Sequence, residues 1–261
     1  MRKYTGRTFQ RETVYVTGDI IEGDIYPVYQ APGQRRKRCR PTSAIQERLN
    51  QRNAERKLAR ILNLNFCDED LAVHLTYREG MLPETAEQAR RDVQNFLRRA
   101  KRRYKKAGIE MKYVYTTEIG ETTGRIHHHV VLTGGVDRDE LERLWGKGRA
   151  NADRLQPEED GLGALAKYIT KSRKRGQRIT YRRWSGSRNL EMPEPLQYDG
   201  RLSAEDVREL ADEIEEHSAA RKLEEQYPGY RCVMCSAERN LVNRGIYIRY
   251  ILRREAGRQR E

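Results

Sequence analysis

The sequence predicts an α+β fold, a mainly antiparallel sheet with flanking helices, on three observations. Residues 112–118 and 125–132 are rich in β-branched and aromatic side chains, and the polar, Gly-bearing stretch 119–124 between them has the composition of a hairpin loop. Residues 71–77 form another β-prone run upstream. Between the run and the hairpin, in 83–107, Val93, Phe96, Leu97, Ala100 and Tyr104 recur at helical spacing. Strands alternating with helices around a hairpin suit a layered sandwich.

The 261 residues can hold one sizeable domain with appendages or two small ones. Hydrophobic residues make up 36% and charged ones 35%, which argues for one compact core with polar arms over a uniformly packed globule. Lys and Arg total 52 against 39 Asp and Glu, a net charge of +13 that points to a polyanionic partner, nucleic acid first. A ribosomal or RNA-binding protein shares such a balance, so charge alone assigns no function. No run is long and apolar enough to span a bilayer, so a cytoplasmic location and reduced cysteines are expected. Cys232 and Cys235 have zinc-ligand or redox spacing, but no second Cys or His pair follows, and an incidental thiol pair is the favoured reading.

In chain order, a short hairpin is expected around 13–16 and 25–29, joined through Gly18 and Gly23. The basic cluster 35–40 is either a solvated arm or a phosphate clamp. From Thr42 or Ser43, a good N-cap, a polar helix is expected to about Leu62, its thin stripe of Ile45, Leu49, Leu58 and Ile61 lying against the main domain. After the central hairpin come a helix over 137–144, a short strand near 151–155 and a helix over 164–171. Beyond Pro193 and Pro195 an acidic helix is expected over 203–225, packing on basic helices or binding a partner, and 247–251 reads as a strand or a helix.

Chemistry concentrates in two places. On a strand, alternation sends His127 and His129 to one face and His128 to the other, and two imidazoles at that spacing can chelate one cation. If Glu118 pairs opposite Arg125, the period of two adds its carboxylate to the His127 and His129 face; a β-bulge in the loop would remove it. The bland alternatives are a solvated strand or a metal-binding tract without chemistry. His128 is either a neutral, hydrogen-bonded core residue or a ligand in another register. His74 can reach the same face if its strand lies beside the histidine strand, though a structural role is favoured. Tyr168 and Lys171 are neighbours one turn apart on a helix, where a Tyr is more often packing than nucleophile. Downstream, Arg173, Lys174, Arg175, Arg182 and Arg183 are interleaved with Tyr181 and Trp184, phosphate-binding cations beside stacking rings, as a single-strand path requires. The basic face of 98–106 is either a solubilising surface or a DNA contact.

A Gly-rich turn leading into His127-x-His129, Glu118 ending the preceding strand, and Tyr168-x-x-Lys171 on a helix together resemble the HUH endonuclease superfamily. Within it the chain is similar to the single-tyrosine rolling-circle replication initiators of small single-stranded DNA phages, prophages and plasmids. Residues 71–77 resemble that group's first-strand motif, and 184–189, which include Trp184 and Arg188, resemble the segment after its tyrosine helix. The resemblance spans about 65–190; it departs at His128, where the family has a bulky hydrophobic residue.

The resemblance implies an RRM-like core at 67–190 between an N-terminal basic arm and helix at 1–66 and a C-terminal acidic helix and tail region at 191–261. It implies metal-dependent nicking and joining of single-stranded DNA at a replication origin through a covalent 5′-phosphotyrosine. His127, His129 and Glu118 would hold Mg²⁺ or Mn²⁺, Tyr168 would attack, and Lys171 would neutralise charge. The 261 residues contain no P-loop motif, so helicase and polymerase would come from the bacterial host. The alternatives are a non-catalytic DNA-binding autorepressor, a relaxase or transposase, or a nuclease that uses water.

Overall fold

The computed structural model describes residues 8–29, 44–120, 124–170, 183–241 and 243–255. In chain order these form β1 (Thr8–Thr17), β2 (Ile20–Tyr29), α1 (Ala44–Asn65), β3 (Leu71–Thr76), α2 (Ala86–Lys106), β4 (Tyr113–Ile119), β5 (Ile126–Leu132), α3 (Arg138–Arg143), β6 (Ala150–Arg154), α4 (Gly163–Thr170), β7 (Ser185–Gly186), β8 (Leu196–Asp199), α5 (Ala204–Glu215), α6 (Ala220–Gln226), β9 (Tyr230–Arg239) and β10 (Ile246–Arg254). The fold is α+β, as the alternating pattern predicts, and its strands form two antiparallel five-stranded sheets. The chain divides into two units, Arg48–Glu158 with Leu162–Met192, and Met1–Glu47 with Glu159–Gly161 and Pro193–Glu261. Among the described residues no helix is long and apolar enough to cross a membrane.

In the first of these units the strand order is β6-β3-β5-β4-β7, which puts the histidine strand in the middle. Alternation divides the sheet into two faces. Leu71, Val73, Leu75, Tyr115, Val130 and Leu132 share a core with Val93, Phe96, Leu97, Ala100 and Tyr104 of α2, the stripe read from the sequence. Helix α2 starts where the Thr85 side chain accepts from the Gln88 N–H at 3.1 Å, satisfying one orphan donor of the first turn. On the opposite face, Ala72, Val114 and Val131 pack with Leu58 and Leu62 of α1 and Ala166 and Ile169 of α4. Helix α1 continues three residues past the expected end, and Leu58, Ile61 and Leu62 are fully buried while Leu49 is exposed. The capping candidates Thr42 and Ser43 and the basic cluster 35–40 lie outside the described residues.

In the second unit β8-β1-β2-β10-β9 form one sheet, so strands from the two ends of the chain are hydrogen-bonded through β2 and β10. Residues 247–251 are therefore strand, and β9 is an element the sequence reading lacked. The β1–β2 turn is Gly18-Asp19 alone, with Gly18 at φ 61°, the positive φ a two-residue hairpin turn requires. Gly23 does not belong to that turn. It pairs with Val14 and Tyr250 inside the sheet, and a Cβ on it would lie 2.0 Å from the Tyr250 ring. The space lets the Tyr250 hydroxyl donate to Glu12 Oε1 at 2.6 Å, where Tyr227 and Gln226 also donate and Arg201 pairs with the other oxygen. Gly23→Ala is accordingly expected to destabilise this unit by about 2 kcal/mol or more, through overpacking and loss of a buried hydrogen bond. A urea melt with the wild-type midpoint would contradict this.

The acidic segment expected as one helix over 203–225 is two, α5 and α6. A Ser203–Asp206 capping box starts α5. It ends because His217 takes φ 63°, while the His217 N–H donates to Ile214 O and the Ser218 N–H to Glu213 O, a Schellman closure. In β9 a bulge at Val233 sets Cys232 opposite Leu252 and Met234 opposite Ile251, so Cys232 and Cys235 both pack on the same core. Both are free thiols, and burial together with Cys235 pushes the Cys232 thiol up to about 12.

Candidate metal centre and tyrosine

Antiparallel pairing on both sides of β5 assembles the site. On β3, His74 pairs with His129; on β4, Glu118 pairs with His127. Glu118 thus lies two residues from the register assumed in the sequence reading, but a two-residue shift keeps the face, and its carboxylate joins His127 and His129. Glu118 Oε2 is 3.7 Å from Nε2 of each of these histidines. His74 stacks on His129 with ring centroids 4.6 Å apart and meets the His127 ring edge-on at 5.2 Å. Ligand atoms of His74, His127 and His129 all lie within 4.8 Å of one another. The sequence alone favours a structural role for His74; its neighbourhood instead makes it a candidate ligand, for which strand alternation is the available signal.

These residues fit a divalent cation. Two nitrogens each about 2.1 Å from one ion can be at most about 4.2 Å apart. The Glu118 separations are already inside that span, and the histidine ligand atoms, all within 4.8 Å of one another, exceed it by about 0.6 Å at most. Burial first, and the neighbouring His127 second, lower the His74 pKa and favour the neutral, coordinating imidazole. Nitrogen donors outnumber carboxylates here, which suits Mn²⁺ or a later transition metal better than Mg²⁺.

His128 does not join the cluster. It is fully buried on the α2 face, with Nδ1 2.8 Å from the Thr117 hydroxyl and Nε2 2.9 Å from the Tyr77 hydroxyl, and burial pushes its pKa down to about 3. This is the neutral core histidine of the sequence reading. His128→Leu leaves two buried hydroxyls without that partner and is expected to cost about 2–4 kcal/mol. Thr117→Val and Tyr77→Phe added together should recover part of it; failure of the triple variant to regain stability in urea melts would contradict the account.

Tyr168 reaches the cluster from α4. Ala166 and Ile169 are buried against the sheet, whereas Tyr168 is 48% exposed. Asn63 Oδ1 of α1 accepts from the Leu162 N–H at 2.7 Å just before α4, and Gln51 of α1 donates to the Thr170 carbonyl at 2.5 Å at its end. So held, the Tyr168 ring meets His129 edge-on at 4.9 Å, with its hydroxyl 3.4 Å from His129 Nε2. That nitrogen also faces Glu118, so it cannot ligate a cation and accept from the phenol at once.

Lys171, Arg173, Lys174, Arg175 and Arg182 lie outside the described residues. The Arg183 carbonyl accepts from the Thr116 hydroxyl at 3.0 Å, tying the returning chain to β4. Trp184 is half-buried, packed with Leu190 on the α1–α4 core. Arg188 is exposed and lies with α2 side chains, on the sheet face away from His74, His127 and His129.

Residues 70–173 match a family model whose description opens "Replication-associated protein ORF2". The match runs from the start of β3 through α4, and so contains all three clustered histidines, Glu118 and Tyr168. No curated protein and no solved structure matches the chain significantly.

Proposed function

We propose that this protein initiates DNA replication as a metal-dependent endonuclease that nicks and rejoins single-stranded DNA through Tyr168. The observation that carries this reading is a tyrosine hydroxyl 3.4 Å from a histidine of a cation-competent cluster, on a helix end open to solvent. The match to replication-associated proteins supports the biological role, and the net charge of +13 suits the substrate.

A divalent cation held at this cluster would supply positive charge beside a non-bridging phosphate oxygen. His127 and His129, with Glu118 and His74, hold their donor atoms on one face beside the tyrosine. Helix α4, fastened at both ends to α1, fixes the Tyr168 oxygen there, so that the entropy of positioning is met by folding. That oxygen attacks phosphorus as the phenol loses its proton; the bond to the 3′ oxygen breaks, and the leaving oxygen takes a proton to become a 3′ hydroxyl. The 5′ phosphate stays on Tyr168 as an ester. Attack by a 3′ hydroxyl on the ester reverses the exchange, so joining needs no nucleotide hydrolysis. Lys171, three residues beyond Tyr168, would neutralise charge on the transferred phosphate. The freed 3′ hydroxyl primes rolling-circle synthesis, with helicase and polymerase supplied by a bacterial host.

The test is to incubate the full-length protein and Mn²⁺ with labelled single-stranded DNA covering candidate origins, digest the DNA, and map any adduct by mass spectrometry. A nucleotide on the peptide containing Tyr168 is the expected result. Cleavage without an adduct would instead indicate attack by water, and binding without cleavage a DNA-binding repressor.

A further inference from the structure

On the α2 face of the sheet, opposite His74, His127 and His129, lies an open cleft of about 900 Å³. One wall is a stripe of α2 at helical spacing, with Arg98, Lys101 and Lys105 exposed above buried Leu97 and Tyr104. The other wall is the start of β4 and the turn after β7, including Tyr113 and Arg188. This wall is pinned: the Ser187 N–H donates to Tyr113 O at 2.9 Å, the Tyr113 N–H to Ser187 Oγ at 3.1 Å, and Asn189 to Glu110 at 2.9 Å. The cleft therefore has a preformed apolar floor, a half-buried tyrosine and four cations on its rim. Its acid, Glu110, already accepts from Asn189, and among the described residues none of the four cations is in an ion pair.

Four cations against a single lining carboxylate, set around an apolar floor with an aromatic ring, are complementary to a phosphodiester chain carrying unpaired bases. We infer that this cleft is a second binding track for single-stranded nucleic acid, separate from the tyrosine face: Arg98, Lys101, Lys105 and Arg188 take phosphates and Tyr113 stacks a base. The cleft's volume is at the upper end of the roughly 300–1,000 Å³ typical of ligand sites, enough for a base with its sugar. Duplex DNA keeps its bases paired and leaves the floor unused. The inference rests on the nicking reading only for the choice of DNA as probe.

The experiment uses the full-length protein without metal, a labelled single-stranded oligonucleotide of non-origin sequence, and anisotropy titrations over a range of salt. Lys101→Glu/Lys105→Glu, two exposed sites, is compared with wild type and with Arg208→Glu/Arg221→Glu, an equal charge reversal in the other unit. The cleft variant is expected to bind at least about tenfold more weakly, with a salt slope shallower by about 1–2, and the control to change far less. An iodouracil-substituted oligonucleotide should photo-crosslink to Tyr113 in wild type and lose that crosslink in the cleft variant. Unchanged affinity and slope, an equal loss in the control, or a crosslink with duplex alone overturns the proposal. Because no nick is needed, a protein that binds here but forms no tyrosine adduct would overturn the nicking reading alone, and the converse the cleft alone.

Discussion

Tyr168→Phe is expected to abolish the covalent protein–DNA adduct and lower nicking by about 10⁴-fold or more, because it deletes the oxygen that forms the ester in the proposed mechanism. Binding of single-stranded DNA should stay within roughly a factor of two, since one exposed hydroxyl contributes little net free energy. The substitution is gentle: the phenyl ring keeps its edge contact with His129, and the buried Ala166 and Ile169 that seat α4 are untouched. Unfolding should therefore be unchanged, and a lower melting temperature would void the comparison. The measurement is a single-turnover gel assay with labelled origin DNA, with adduct and free product quantified separately. Strand cleavage that persists at the wild-type rate in Tyr168→Phe would sink the tyrosine mechanism and leave water as nucleophile. An adduct that persists would move the nucleophile to another side chain.

How much of this was legible beforehand differs by distance along the chain. The histidine face was readable because strand alternation is local: residues 127 and 129 must share a side wherever the strand pairs. Glu118 was readable because hairpin partners are close in sequence, and a register error of two residues cannot change the face. His74 could not be assigned so firmly. Its place depends on β3 lying against β5 rather than elsewhere in the sheet, a long-range pairing that local pattern does not encode. The same limit explains the second sheet. Its β2–β10 pairing joins residues 20–25 to 248–253, and neither segment carries a mark that names the other. Gly23 misled for a related reason: a glycine near a hairpin reads as a turn signal, whereas here it makes room for a tyrosine more than 200 residues away. The break at His217 was hidden because a left-handed cap filled by His lacks the glycine that usually marks it.

The second large effect concerns the cation. His127→Ala and His129→Ala are each expected to weaken Mn²⁺ binding by about 100-fold or more, measured by calorimetry, because each removes a donor from the central strand without disturbing the buried core. Glu118→Gln keeps the shape but removes the carboxylate's charge beside both imidazoles, and should cost about 10-fold or more. His74 decides which set operates. If it ligates, His74→Ala should weaken Mn²⁺ binding by a comparable factor; unchanged affinity would return it to a packing role and leave His127, His129 and Glu118. A nitrogen-rich centre should also bind Mn²⁺ at least about tenfold more tightly than Mg²⁺, since Mg²⁺ prefers oxygen and keeps its waters. His74→Asp replaces a nitrogen donor with oxygen and should narrow that gap. An unaltered Mn²⁺ to Mg²⁺ ratio in His74→Asp would show that metal preference is set by the other ligands.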